Sequence, residues 1–206
     1  MPSFLSKLQE MMLERGLPIV HTTIMRWVQE YSPILSIKLR KHLKPTNDSW
    51  RMDETYLKIK GVTHYLYRAV DSEGQTIDFW LSKNRDKKAA KKFFKRTLKS
   101  THNRMPRVIT TDKYPATEIA IIEEIYYGVL SCRVQHRMIQ YLNNIVEQDH
   151  RFIKRIIKPM LGFKNFYYAI RTISGIESMH MIRKGQAGTK GVLEEIKLMN
   201  RLFDVA

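Results

Sequence analysis

Apolar residues recur along the chain with two periods, and the change from one to the other falls near Trp50. Before it the period is helical. Phe4, Leu5, Leu8, Met12 and Leu13 form one stripe, and Ile24, Trp27, Val28 and Tyr31 form a second. Thr22 or Thr23 would cap the second helix, with Arg26, Gln29 and Glu30 turned outward. A break from Gly16 to His21 separates the two. Helices joined this tightly are the minimum of a helix-turn-helix, whose second helix enters a major groove, and equally of an ordinary helical hairpin. "SIKLRKHLKPTNDSW" then reads as a basic linker ending in turn residues.

From Trp50 the period becomes two. "WRMDETYLKIKG" is a strand stopping at Gly61, and "VTHYLYRAVDSEG" is a second whose Asp71-Ser72-Glu73-Gly74 signals a hairpin turn. "QTIDFWLSK" is the returning strand. A basic amphipathic helix follows in "RDKKAAKKFFKRTLKS", burying Ala89, Phe93, Phe94 and Leu98. "RVITTD" is a short strand ending on Asp112, "YPATEIAIIEEI" a helix with Pro115 in its first turn, and "GVLSCRVQHR" a fifth strand. A long helix from Asn143 must end or kink at Pro159, and two further helical stretches close the chain. The pattern predicts an α/β domain with a mixed sheet over residues 49–186, a helical segment and linker over 1–48, and a helical tail over 187–206.

Charge narrows the class of partner. Among 206 residues, 36 Lys and Arg face 20 Asp and Glu, a formal charge of +16. Such an excess favours a polyanion, since neutralising phosphates releases counterions. No apolar run approaches the ~18 residues a bilayer span needs, and the start reads as neither export nor transit signal. One cysteine, Cys132, excludes internal disulfides and thiolate zinc clusters, which points to the cytoplasm.

Three carboxylates stand where a site could converge. Asp53 lies mid-way along the first strand, Asp112 at the carboxyl end of the fourth, where open sheets hold ligands, and Glu147 on the following helix. Such a trio can hold two Mg²⁺ ions, which need few protein oxygens. On the helix, Asn143, Glu147, Arg151, Lys154 and Lys158 share a stripe, with Arg155 beside it. That stripe is either a salt-bridged surface, with Glu147 paired to Arg151, or a metal-binding face with cations for phosphate. Phe152, Ile156 and Met160, with Ile153 and Ile157 aside, should line the buried side. Asp149 is roughly 200° around and should not join the site. Taken singly, Asp53 could pair with a lysine and Asp112 could cap the next helix. Glu54 should point to the other side of its strand. Lys154 and Arg51 are expected to ease repulsion among the acids. His136 and His150 read as DNA-contacting or structural residues, not zinc ligands.

"WRMDETYLKIKG", "YLYRAVDSEGQTIDFWLS", "RVITTDKYPA" and "HRMIQYLNNIVEQDHRFIKR" together resemble the bacterial insertion-sequence DDE transposases of the IS-six group, nearly continuously from Met11 to Gln186. The resemblance implies an integrase-type, ribonuclease-H-like core: a mixed five-stranded sheet with flanking helices. It implies Asp53, Asp112 and Glu147 as catalytic residues and ligands of two Mg²⁺ ions, with Mn²⁺ able to substitute, and Lys154 against terminal DNA phosphates. Arg151, Asn143, Arg155, Lys158 and Arg26 are further candidate DNA contacts. It also implies cleavage at the element's terminal inverted repeats, attack of the freed 3′-hydroxyl on target DNA, cointegrate products and a homo-oligomer at the bacterial nucleoid. Members usually carry more residues ahead of "MMLERG", so an N-terminally shortened copy is expected. The alternative is a silent DNA-binding relic that inhibits the intact enzyme, and a nuclease on the same fold is a third reading.

Overall fold

Lys60 and Gly61 both adopt positive φ, 50° and 77°, the two-residue turn whose twist matches that of paired strands. It joins β1 (Ser49–Ile59) to β2 (Val62–Asp71) in an antiparallel register running from Trp50↔Asp71 to Ile59↔Val62. The expected turn after Asp71 returns the chain as β3 (Thr76–Ser82); the Asp71 carboxylate accepts the Glu73 and Gln75 N–H groups at 3.0 and 2.9 Å. Two parallel strands complete the sheet, β4 (Val108–Thr111) and β5 (Gln135–Met138), in the order β3-β2-β1-β4-β5. The computed structural model describes residues 4–139, 144–160 and 162–205. The mixed five-stranded sheet with flanking helices is as the sequence predicted.

The helices are α1 (Phe4–Glu14), α2 (His21–Arg40), α3 (Lys87–Leu98), α4 (Pro115–Tyr126), α5 (Asn144–Ile157), α6 (Phe166–Arg183) and α7 (Val192–Phe203). α5 stops before Pro159, and Lys158–Met160 form a 3₁₀ turn. Alternation along the strands builds two cores. Trp50, Met52, Tyr67, Ala69 and Ile77 pack with Phe93 and Phe94 of α3 and Ile121 of α4. On the other face Leu57, Ile59, Leu66 and Leu81 meet α2, α5, α6 and α7. None of the described helices is long and apolar enough to cross a membrane.

The N-terminal segment departs from expectation. The presumed linker from Ser36 is helical to Arg40, and Leu35 and Leu39 sit in the same core as sheet residues. α2 starts one residue before Thr22 with Val20 as an N-cap lacking a side-chain bond. Its buried residues are Ile24, Ser32, Leu35, Ser36 and Leu39, whereas Trp27, Val28 and Tyr31 are exposed. Gln29, expected to face outward, donates to Thr172 at 2.8 Å. The cause is α6, which crosses α2 so closely that a Cβ on Gly175 would lie 2.3 Å from the Ser32 hydroxyl oxygen. Pro33 cannot donate to the Gln29 carbonyl four residues back; the Arg171 guanidinium takes that acceptor at 2.5 Å.

Candidate active site

β1 and β4 pair only where they begin, Ser49 with Val108, Trp50 with Ile109 and Arg51 with Thr110. β4 ends at Thr111 while β1 continues to Ile59, which opens a crevice at the carboxyl end of β4. Asp53 and Asp112 each stand two residues beyond the last pair. They are therefore in step and on one side of the sheet. Carboxylate oxygens of Asp53, Glu54 and Asp112 lie within 4.8 Å of one another, a grouping of three acids unique among the described residues.

Glu54 is the addition. It does leave the opposite side of β1, where its Oε1 accepts from Thr117 at 3.3 Å. But β4 has already ended, so nothing separates the two faces there and its carboxylate reaches the crevice. Between Glu54 and Asp112 sits Arg85, whose Nη2 is 3.0 Å from each. The guanidinium stacks on the Tyr114 ring at 3.8 Å, and the Tyr114 hydroxyl donates to the Arg85 carbonyl. The Asp112 carboxylate also accepts the Tyr114 N–H, at 3.1 Å, and α4 is capped by Tyr114, not by Asp112. Arg85 thus does the neutralising expected of Lys154 and Arg51. Sequence offered no sign of it, since Arg85 is 27 residues from Asp112 and reads as one more cation in a basic helix. The sign available for Glu54 was a second acid beside Asp53 in a strand.

Burial, and then the charges of Glu54 and Asp112, push the Asp53 carboxyl up to about 7 against the pull of Arg85. Burial also raises Glu54, with Arg85 opposing. His150 of α5 places Nδ1 3.6 Å from the Asp53 carboxylate. Burial first, and the charges of Arg68 and Lys154 next, depress that imidazole to about 3, so it is neutral at pH 7 and the contact is not an ion pair. Of the two histidine readings, His150 is structural. His136 shares a 2.8 Å hydrogen bond with Thr111.

Glu147 lies three residues before His150, on the same side of α5 and about 4.5 Å along its axis. It is exposed, forms no ion pair with Arg151, and does not complete a group of three with Asp53 and Asp112 at the 4.8 Å spacing. Arg151, Lys154, Arg155 and Lys158 are exposed along α5 and the turn after it, with Lys154 Nζ 5.0 Å above the Tyr56 ring of β1. Arg26 is exposed on α2. Asn143 lies outside the described residues.

The buried face of α5 is rotated from the hydrophobic prediction. Val146, Asp149, His150, Ile153 and Ile157 are buried; Phe152 and Ile156 are half-buried, and Met160 is 44% exposed. An ionic network turns the helix. Arg68, opposite Asp53 on β2 and fully buried, approaches the Asp149 carboxylate at 3.5 Å, donates to its backbone carbonyl at 3.1 Å, and binds Glu177 of α6. Asp149 also meets Lys184 at 2.7 Å and His180 at 3.2 Å, and the His180 ring stacks on Phe152. Burial would raise Asp149, but the His180 hydrogen bond and the charges of Arg68 and Lys184 outweigh it and hold it at about 2. As expected, Asp149 stays out of the acidic site. It fastens α5 to β2 and α6.

Residues 47–186, which contain the sheet and the crevice, match the family model of the DDE domain of IS240-type transposases. The chain belongs to the DDE transposases of the IS-six group. This transposase is 42% identical over 177 residues to the transposase for insertion sequence-like element IS431mec of Staphylococcus aureus, covering 86% of this chain and 76% of that protein. It is 41% identical over the same span to the transposase for insertion sequence element IS257 in transposon Tn4003, also from Staphylococcus aureus. Among solved structures it is similar to the HTLV-2 integrase catalytic core domain in complex with magnesium, with 20% identity, a TM-score of 0.46, and coverage of 57% of this chain and 73% of that one. The enzyme class is that of the family, polynucleotidyl transfer.

The site suits a hard divalent cation. Its donors are carboxylate oxygens only, the set that Mg²⁺ and Mn²⁺ prefer. A half-buried acidic group pushed to about 7 by its neighbours is also one that a cation would relieve.

Proposed function

We propose that this transposase cuts DNA at the ends of its insertion sequence and joins the freed 3′-hydroxyl to target DNA, giving cointegrates. The observation that carries the reading is the convergence of Asp53 and Asp112 at the end of β4, in a family defined by that chemistry. Asp53 and Asp112, with Glu147 from α5, are the catalytic acids and would hold two Mg²⁺ ions, for which Mn²⁺ can stand in. Bound there, the ions would activate the attacking oxygen and stabilise the leaving one. Glu147 is one turn from the residue touching Asp53, which supports its joining the set when substrate and cation arrive.

Lys154, Arg151, Arg155 and Lys158 lie beyond Glu147 along α5 and the turn after it as cations for terminal phosphates, and Asn143, outside the described residues, is proposed as a further DNA contact. The helical segment 1–48, with Arg26 exposed, adds a contact to the inverted repeats. DNA ends must be paired for joining, so the working species is a homo-oligomer, acting at the bacterial nucleoid. The test is strand transfer by the purified chain on labelled terminal-repeat DNA with Mg²⁺, with Asp112→Asn and Glu147→Gln beside it. Joined product that disappears in both variants is expected. Product undiminished in either removes that residue from the catalytic set, and end binding without joining by the unsubstituted protein favours the DNA-binding relic.

A further inference from the structure

Resting on the metal site just proposed, we infer that Arg85 is a positioning residue that occupies the cation's place on Asp112 and must withdraw to Glu54 for the cation to bind. Asp112 has two oxygens. Oδ1 already accepts the Tyr114 N–H at 3.1 Å, and Oδ2 is the atom that Arg85 Nη2 holds at 3.0 Å. A cation arriving at that oxygen meets the positive guanidinium 3.0 Å away, so the two charges compete for the same carboxylate edge.

The two ends of the Arg85 bridge are unequal. The Glu54 side chain is 2% exposed and the Asp112 side chain 32%. Releasing Glu54 would leave a buried carboxylate without its cation, which costs far more than releasing Asp112 to water. The bridge therefore opens on the Asp112 side. Glu54 retains the arginine, aided by Thr117 at its other oxygen. Tyr114 holds Arg85 by ring and hydroxyl and Asp112 by its own N–H, so one residue keeps both partners in register as the bridge opens. In the metal-free protein Arg85 thus offsets part of the repulsion among the acids, and on loading it remains as the counter-charge to Glu54.

The prediction is competition. Arg85→Gln keeps a polar, planar amide on a shorter side chain and removes the charge. It should tighten Mn²⁺ binding by the 206-residue chain, measured by calorimetry, roughly five- to tenfold, the scale of one part-exposed charge-assisted hydrogen bond. Unchanged or weaker binding overturns the inference. Should the variant fail to fold, the unsubstituted protein decides it. Its Arg85 Nε–Hε resonance, assigned by selective labelling, should shift on Mg²⁺ titration with the same midpoint as the calorimetric isotherm. A resonance that ignores Mg²⁺ while calorimetry records binding refutes the exchange and spares the metal site. If Asp53→Asn binds Mn²⁺ as well as the unsubstituted protein does, the metal site itself is wrong, and the inference falls with it.

Discussion

Replacing Arg68 by Met tests whether the ionic network places α5. Arg68 and Glu177 have side chains with 0% exposure, and Asp149 has 11%. Met fills the aliphatic part of the site but leaves Glu177 and Asp149 facing each other without the guanidinium. Breaking a buried pair by removing one partner costs about 3–5 kcal/mol, against a total stability of roughly 5–15 kcal/mol for a domain. Burial already pushes Glu177 up to about 7 with Arg68 in place. Without Arg68 it should take a proton to escape its unpaired charge, so the loss should be smaller at pH 5 than at pH 8. The assay is urea unfolding of the metal-free protein, followed by fluorescence and far-UV circular dichroism at both pH values. Arg68→Met/Glu177→Met, which removes both charges, should recover more than half of the loss. The single variant should also lower strand transfer with Asp53, Asp112 and Glu147 intact, because α5 loses its tie to β2. A loss below about 1 kcal/mol, or one that neither pH nor the second substitution changes, would refute the reasoning.

Asp53 should weaken the metal-free fold above neutral pH. Its folded value of about 7 exceeds the ordinary 3.8, so its contribution to stability falls as pH rises from about 4 to 7, and Asp53→Asn should be the more stable at pH 8, by on the order of 2 kcal/mol, and by less than half of that at pH 5. A lower melting temperature for that variant at pH 8 would contradict the origin of the shift. The same group should make Mg²⁺ binding roughly tenfold weaker at pH 6 than at pH 8, which calorimetry at the two pH values checks. Gly175→Ala should cost about 1–3 kcal/mol by forcing α2 from α6, and Ser32→Gly in the same chain should restore most of it; thermal melting reads both. Lys154→Ala and Lys158→Ala should each reduce the slope of log affinity against log salt by about 0.9 for duplex DNA if each neutralises a phosphate. Unchanged slopes would move the DNA track off α5.

Local chemistry carried the succession of strands and helices along the chain, the hairpin at Asp71, the start of α4 at Pro115 and the end of α5 before Pro159, because alternation, turn residues and proline act within a few positions. Asp53 and Asp112 were also legible: one is mid-strand and one at a strand end, and parallel register brings them level. Glu54 and Arg85 were not legible, since their meeting depends on β4 ending where β1 continues. Nor was the true buried face of α5. Hydrophobic period favoured Phe152 and Ile156, but burying Arg68 demands carboxylates, and Asp149 and Glu177 supply them from helices 28 residues apart. The N-terminal stripe failed for a related reason. A close crossing selects small residues, so Ser32 meets Gly175 outside the stripe that large apolar side chains marked, and Ser36 is buried where the pattern read linker. Sequence determines what each segment is on its own, while charge pairing and close approach belong to pairs of distant segments and exist only once the chain has folded.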